Sequence, residues 1–236
     1  LVGGSFANPP QPRPMVVESI GGIRAPPLVH STAVRVIRKD SNGKYLIAGD
    51  FTEVNETPRS RVARLNADFT LDATFDPGVG PPQSVYDFHE DENGSLFASG
   101  GFPTWNGDTN HKYLAKLNSD GTLDTSFTSV LSSFTYQGLP LPGGDILTAG
   151  TSFNPDGDGG TTSDNYVFRI NADGSYDPGF LGDVGLFPST KLMIDSSNRI
   201  YANSGTAILY RFGSNGNPDA GFNTSLLNGQ ATVFSQ

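Results

Sequence analysis

The chain writes one eleven-residue pattern four times. "LNADFTLDATF" (65–75) returns as "LNSDGTLDTSF" (117–127), "INADGSYDPGF" (170–180) and "FGSNGNPDAGF" (212–222). The copies start at 65, 117, 170 and 212, giving intervals of 52, 53 and 42 residues. Self-similarity at such a period constrains the fold more than composition does. Each unit must be one supersecondary element that buries its faces against its neighbours.

Two further elements precede each copy. One reads "NGKYLIAGDF" (42–51), "NGSLFASGGF" (93–102), "GGDILTAGTSF" (143–153) and "SNRIYANSGTA" (197–207). The other reads "AVRVIRKD" (33–40), "SVYDFHED" (84–91), "SFTYQGLP" (133–140) and "TKLMIDSS" (190–197). Apolar and polar residues alternate on both sides of Asn-Gly at 42–43, a strong hairpin signal. The eleven residues supply a third strand, a turn at Asp-Phe, Asp-Gly or Asn-Gly, and a short fourth strand ending on Phe. Each repeat is therefore expected to be a four-stranded sheet. Leu65, Leu117, Ile170 and Phe212, with Phe75, Phe127, Phe180 and Phe222, are expected to lie between sheets.

These residues resemble the delta-60 repeat family, through "GK-x-L-x-A-G-x-F" followed by "x-A-R-L-N-A-D-G-S-L-D-x-x-F". The resemblance is good at 43–75, 94–127 and 143–180 and poor at 198–222. It implies β-propeller blades and a surface or extracellular setting, and it brings no catalytic residues.

The expected fold is therefore an all-β propeller in one domain, with repeats near 33–82, 83–132, 133–185 and 186–229. "LVGGSF" at 1–6 aligns with the second strand "LIAGDF", and "QATVFSQ" at 230–236 aligns with first strands. Residues 1–32 and 230–236 are then expected to form a composite fifth blade, closed by the C-terminal strand. The Pro-rich stretch 9–27 offers an alternative, a crossover or a contact with another chain. The first residue is Leu, so the chain reads as part of a longer one.

Charge narrows the partners. A net charge of −9 argues against nucleic acid and anionic lipid, both of which need a concentrated cationic face. No apolar run approaches the ~20 residues of a membrane span. With no cysteine there is no thiolate chemistry. His30, His89 and His111 lack metal-ligand spacing, and no nucleophile elbow, Walker loop or zincin motif occurs.

Variable loops carry specificity on such frames. The loop after the second strand varies most. In the second repeat it is "PTWNGDTNHKY" (103–113), whose Trp105, His111 and Tyr113 are candidate anchors for a glycan or a protein. The alternative is that Trp105 caps the core beneath its loop. In the third repeat "NPDGDGGTTSDN" (154–165) offers Asp156, Asp158 and Asp164 as calcium ligands, or a solvated acidic turn. Otherwise no cofactor is expected. The expected function is non-catalytic binding, adhesion or assembly in an extracellular, cell-surface or virion protein. A structural subunit of a phage tail or surface appendage is the alternative, and a polysaccharide-active enzyme using paired carboxylates the third reading.

Overall fold

The computed structural model describes residues 29–30, 33–151, 165–180, 191–204, 208–219 and 221–222. The composite blade and the Asp156, Asp158 and Asp164 loop expected from the sequence lie outside these residues, apart from 29–30. Among the described residues the regular structure is β, with a single turn of 3-10 helix at Thr109–His111. No helix there is long and apolar enough to cross a membrane.

Four three-stranded antiparallel meanders follow one another. The first joins β2 (Val34–Lys39), β3 (Tyr45–Gly49) and β6 (Val62–Leu65). The second joins β7 (Val85–Glu90), β8 (Leu96–Gly100) and β9 (Leu114–Leu117). The third joins β10 (Thr135–Pro140), β11 (Ile146–Thr151) and β12 (Asn165–Ile170), and the fourth β13 (Lys191–Ile194), β14 (Ile200–Ser204) and β15 (Ile208–Phe212). A small extra sheet pairs β1 (Val29–His30) with the hairpin β4 (Glu53–Val54) and β5 (Thr57–Pro58) in the first repeat's long loop.

The expected fourth strand is shorter than its sequence suggests. It is reduced to one bridge per repeat: Leu65 to Leu71, Leu117 to Leu123, Ile170 to Tyr176 and Phe212 to Pro218. The reason is the next residue. The Asp72 carboxylate accepts from the Thr74 amide (3.0 Å), and Asp124, Asp177 and Asp219 repeat this with Ser126, Gly179 and Gly221. Such a local bond turns the chain before a ladder can extend.

Packing explains why the eleven residues recur. Leu117 is buried with Phe75, Phe88 and Val36 between the first two repeats. Ile170 and Phe127 meet between the second and third, and Phe212 and Phe180 between the third and fourth. The first residue of the motif thus faces the preceding repeat and its last Phe faces the following one. Backbone bonds cross the same joints: the Asp76 amide donates to the Asp120 carbonyl (2.8 Å) and Thr128 to Asp173 (3.0 Å). Gly174 shows what this approach requires. Its φ is +94°, and a Cβ there would collide with the Thr128 carbonyl oxygen.

Both faces of the sheets are covered. Val62, Ala63, Arg64 and Leu65 are buried in a row. Arg64 is accommodated because its Nε donates to Asp72 Oδ2 (2.7 Å), which also accepts from Lys44 Nζ (2.8 Å). The guanidinium lies 4.9 Å from the Phe75 ring centre, and Nη1 donates to the Ser119 carbonyl of the next repeat (2.7 Å). Burial alone would raise the Asp72 carboxyl, but hydrogen bonds from Lys44, Thr74 and Arg64 outweigh it and hold it well below the usual carboxylate range. Arg169–Asp177 and Arg211–Asp219 repeat the pair, each guanidinium over the closing Phe180 or Phe222.

Candidate functional site

The two ends of the repeats differ. At one end, among the described residues, lie short turns, and three of them are built alike. Asp40 Oδ1 accepts from the Asn42 and Lys44 amides, Asp91 from Asn93 and Ser95, and Asp195 from Ser197 and Arg199. At the other end the long loops after the second strands meet the segments that lead into the first strands. Arg61 Nη2 donates to the Pro82 carbonyl (3.2 Å), the Gly80 amide to Asn106 Oδ1 (2.8 Å), and the Ser129 amide to the Asn110 carbonyl (2.8 Å).

At this loop end the sequence placed its anchors, and the structure places them differently. Trp105 is fully buried. Its ring meets Phe102 edge to face at 5.6 Å, and Nε1 donates to the Pro77 carbonyl (3.3 Å). It therefore caps the core and offers no surface to a ligand. His111 is 1% exposed, with Nε2 3.5 Å from Asp108 Oδ2. Burial lowers its pKa against the pull of Asp108 and Asp124, so the imidazole is neutral near pH 7. Tyr113 is half-buried against the cluster of Phe97 and Leu114, at a φ of 64°. The 103–113 loop is thus a folded plug, tightened by the Trp105–Asp108 bridge and by Asp108 capping the helical turn at the Asn110 amide (2.9 Å).

Other residues face outward at this end. Register shifts mark a β-bulge between Val34 and Val36 in β2, between Val85 and Asp87 in β7, and between Thr135 and Gln137 in β10. The residues at the three bulges are Arg35, Tyr86 and Tyr136. A bulge re-aims a side chain, and these three form a row. The Arg35 guanidinium lies 5.5 Å from the Tyr86 ring centre, and Tyr86 stacks on Tyr136 at 6.0 Å. Phe134 meets Tyr136 edge to face at 5.3 Å. Arg35 is held by Asp50 (2.7 Å). Burial alone would raise Asp50, but Arg35, Ser84 and Arg61 outweigh it and lower its pKa. Burial, and then Tyr86, raise the Tyr136 hydroxyl, so it stays a neutral donor. Val79 and Val130, the exposed large apolar side chains among the described residues, lie in the segments entering β7 and β10 at this same end.

The sequence did carry a signal for the bulges. Gly49, Gly100 and Gly150 stand opposite them, and a Cβ at Gly49 or Gly100 would strike the Ala33 or Ser84 carbonyl oxygen. A recurrent Gly inside a strand marks a bulge or a close backbone approach. Two of the bulged residues are Tyr and one is Arg, and the residues alone do not reveal that a bulge re-aims them.

Just beyond the bulges, where the first strands of successive repeats pack together, lies a polar cluster. Asp87 is 1% exposed. Arg38 Nη2 donates to its Oδ1 (3.0 Å) and His89 Nε2 to its Oδ2 (2.9 Å). Burial alone would raise Asp87, but His89, then Arg38 and Lys191, outweigh it and hold the carboxyl well below its usual range. An ionised carboxylate only accepts, so His89 Nε2 carries the proton in this bond. The side chain of Gln137 donates to the Leu192 carbonyl (3.3 Å) and accepts from the Leu192 amide (2.7 Å), tying the third repeat to the fourth.

Three segments of the chain, residues 41–75, 93–127 and 144–180, match the family model described as a beta-propeller domain of unknown function, DUF5122. The chain carries β-propeller repeats. No curated protein matches it significantly. Each matched segment runs from the turn after the first strand to the Phe that closes the motif. The propeller match therefore covers the second and third strands and the joints. It omits the first strands, so Arg35, Tyr86, Tyr136 and the Asp87 cluster fall between or before the matched segments.

Proposed function

We propose that this propeller is a non-catalytic binding or assembly module of an extracellular, cell-surface or virion protein, and that it engages a glycan or protein partner through its loop end. The observation that carries the reading is the row Arg35–Tyr86–Tyr136, presented by bulges at the end that also exposes Val79 and Val130. Aromatic faces with hydroxyl tips and a fixed arginine suit both kinds of partner. The resemblance to surface repeats noted from the sequence supports the setting. The many carboxylates speak little for hydrolysis. Asp72, Asp124, Asp177 and Asp219 hold turns and cations, and Asp87 is locked between two donors.

The test is a panel of immobilised polysaccharides and purified extracellular proteins, read with the wild type, a Tyr86→Ala/Tyr136→Ala double variant, and Asn42→Ala at the opposite end. The expected result is a hit that weakens at least tenfold in the double variant and is unchanged in Asn42→Ala. Equal binding by all three proteins, or release of soluble sugar from the panel, would overturn the proposal.

A further inference from the structure

The 103–113 loop closes over a histidine that it does not accommodate as a cation. The His111 side chain is 1% exposed, and its Nδ1 is buried with no hydrogen-bond partner among the described residues. Nε2 faces Asp108 Oδ2 at 3.5 Å, too long for a strong charge-assisted bond. That carboxylate is half-exposed and already accepts from the Asn110 amide through Oδ1 (2.9 Å). Asp124, in the turn that follows β9, also pulls on the ring, but it is paired with Lys116 Nζ (3.3 Å). A proton added to the neutral ring makes both nitrogens donors. It would therefore place a charge where water is excluded and an N–H where Nδ1 meets no acceptor, and both are costly.

The loop itself is lightly tied. Three hydrogen bonds reach from it to the segments that enter the first strands: Trp105 Nε1 to the Pro77 carbonyl (3.3 Å), the Gly80 amide to Asn106 Oδ1 (2.8 Å) and the Ser129 amide to the Asn110 carbonyl (2.8 Å). Asn106 and Tyr113 hold left-handed backbone, with φ of 51° and 64°, which costs a bulky residue such as Tyr most. A segment with few ties and stored strain can open without the sheets beneath it.

We propose that residues 103–113 form an acid-released latch with His111 as its trigger. The loop stays closed while the imidazole is neutral and leaves its seat when the ring takes up a proton. Burial outweighs both carboxylates and lowers the pKa of the closed state. The stability that closure supplies is thus complete above the ordinary histidine value, about 6.5, and is lost as pH falls from there through the closed-state value. The latch does not depend on the loop-end reading, since Tyr86 and Tyr136 take no part in it.

Trp105 is the only tryptophan of the chain and is buried in this loop, so its fluorescence reports opening. The experiment measures acrylamide quenching of Trp105 from about pH 7.5 to about pH 5, above the range in which ordinary carboxylates protonate. Circular dichroism follows the sheets in parallel. Quenching is expected to rise severalfold and reversibly in acid while the sheet signal holds. In His111→Gln, which cannot take up the proton, it should not change with pH. Because that variant can also fail to seat the loop, an NMR titration of the wild-type His111 ring is the second measurement, with a midpoint expected below about 6.5. Flat quenching in the wild type, the same pH-dependent rise in His111→Gln, loss of the sheet signal together with the rise, or a ring midpoint at or above about 6.5 would overturn the proposal.

Discussion

Asp72 shows how one carboxylate organises a repeat. Its Oδ1 holds the turn through the Thr74 amide and hydroxyl, and its Oδ2 holds Arg64 and Lys44. Replacing it strands a buried guanidinium, and breaking such a pair costs several kcal/mol. Asp72→Ala is expected to lose about 3 kcal/mol in urea unfolding at pH 7. Asp219→Ala should lose less, because the Arg211–Asp219 pair is wetter. The sign of the pH effect follows from the lowered pKa of Asp72. Its contribution is complete above the unfolded carboxylate value, near 3.9, and is lost as pH falls through the folded one. The gap between wild type and Asp72→Ala should therefore hold from pH 7 to about pH 5 and narrow as pH falls below about 4. A gap that widened in acid would contradict the role given to this residue.

The bulges are features of whole strands rather than of the residues they display. In each of the first three repeats a glycine of the second strand faces the bulge and leaves room for a carbonyl oxygen. The fourth repeat has Ser204 at the corresponding end of β14, and there Asn203 Oδ1 accepts from the Lys191 amide (2.7 Å). Gly100→Ala must push the Ser84 carbonyl aside. A loss of about 1–3 kcal/mol is expected, as for other overpacked sites. Crystallographic or NMR comparison should also show Tyr86 displaced from Tyr136. A variant of wild-type stability with the stack intact would refute the bulge as the device that places Tyr86.

Legibility divides along the same line. Turns such as Asp120–Gly121 could be read directly, because their chemistry is local: Asp120 Oδ1 accepts from Thr122 two residues on, and Gly121 supplies a φ of +91°. The inward placing of Phe127 and Leu117 was legible because only neighbouring repeats could cover them. For Trp105 the sequence left two readings open, an anchor or a cap on the core, and what decides for the cap is a contact with the Pro77 carbonyl, 28 residues away in another repeat. Arg35, Tyr86 and Tyr136 were hidden because a bulge changes which way a residue points without changing the residue.

For the whole molecule, the account divides labour between frame and face. The repeated residues join each unit to the next, the turn end holds short turns, and the loop end carries the longer, more varied loops. The joints are the central claim, since the face has meaning only if the frame is built this way. Residue-resolved amide hydrogen exchange tests it most directly. The amides of Asp76 and Thr128 lie outside the strands, and their bonds cross to Asp120 and Asp173 of the following repeats. The account predicts that both exchange as slowly as the strand amides of Leu96–Gly100. Free exchange at Asp76 and Thr128, with those strand amides still protected, would contradict it.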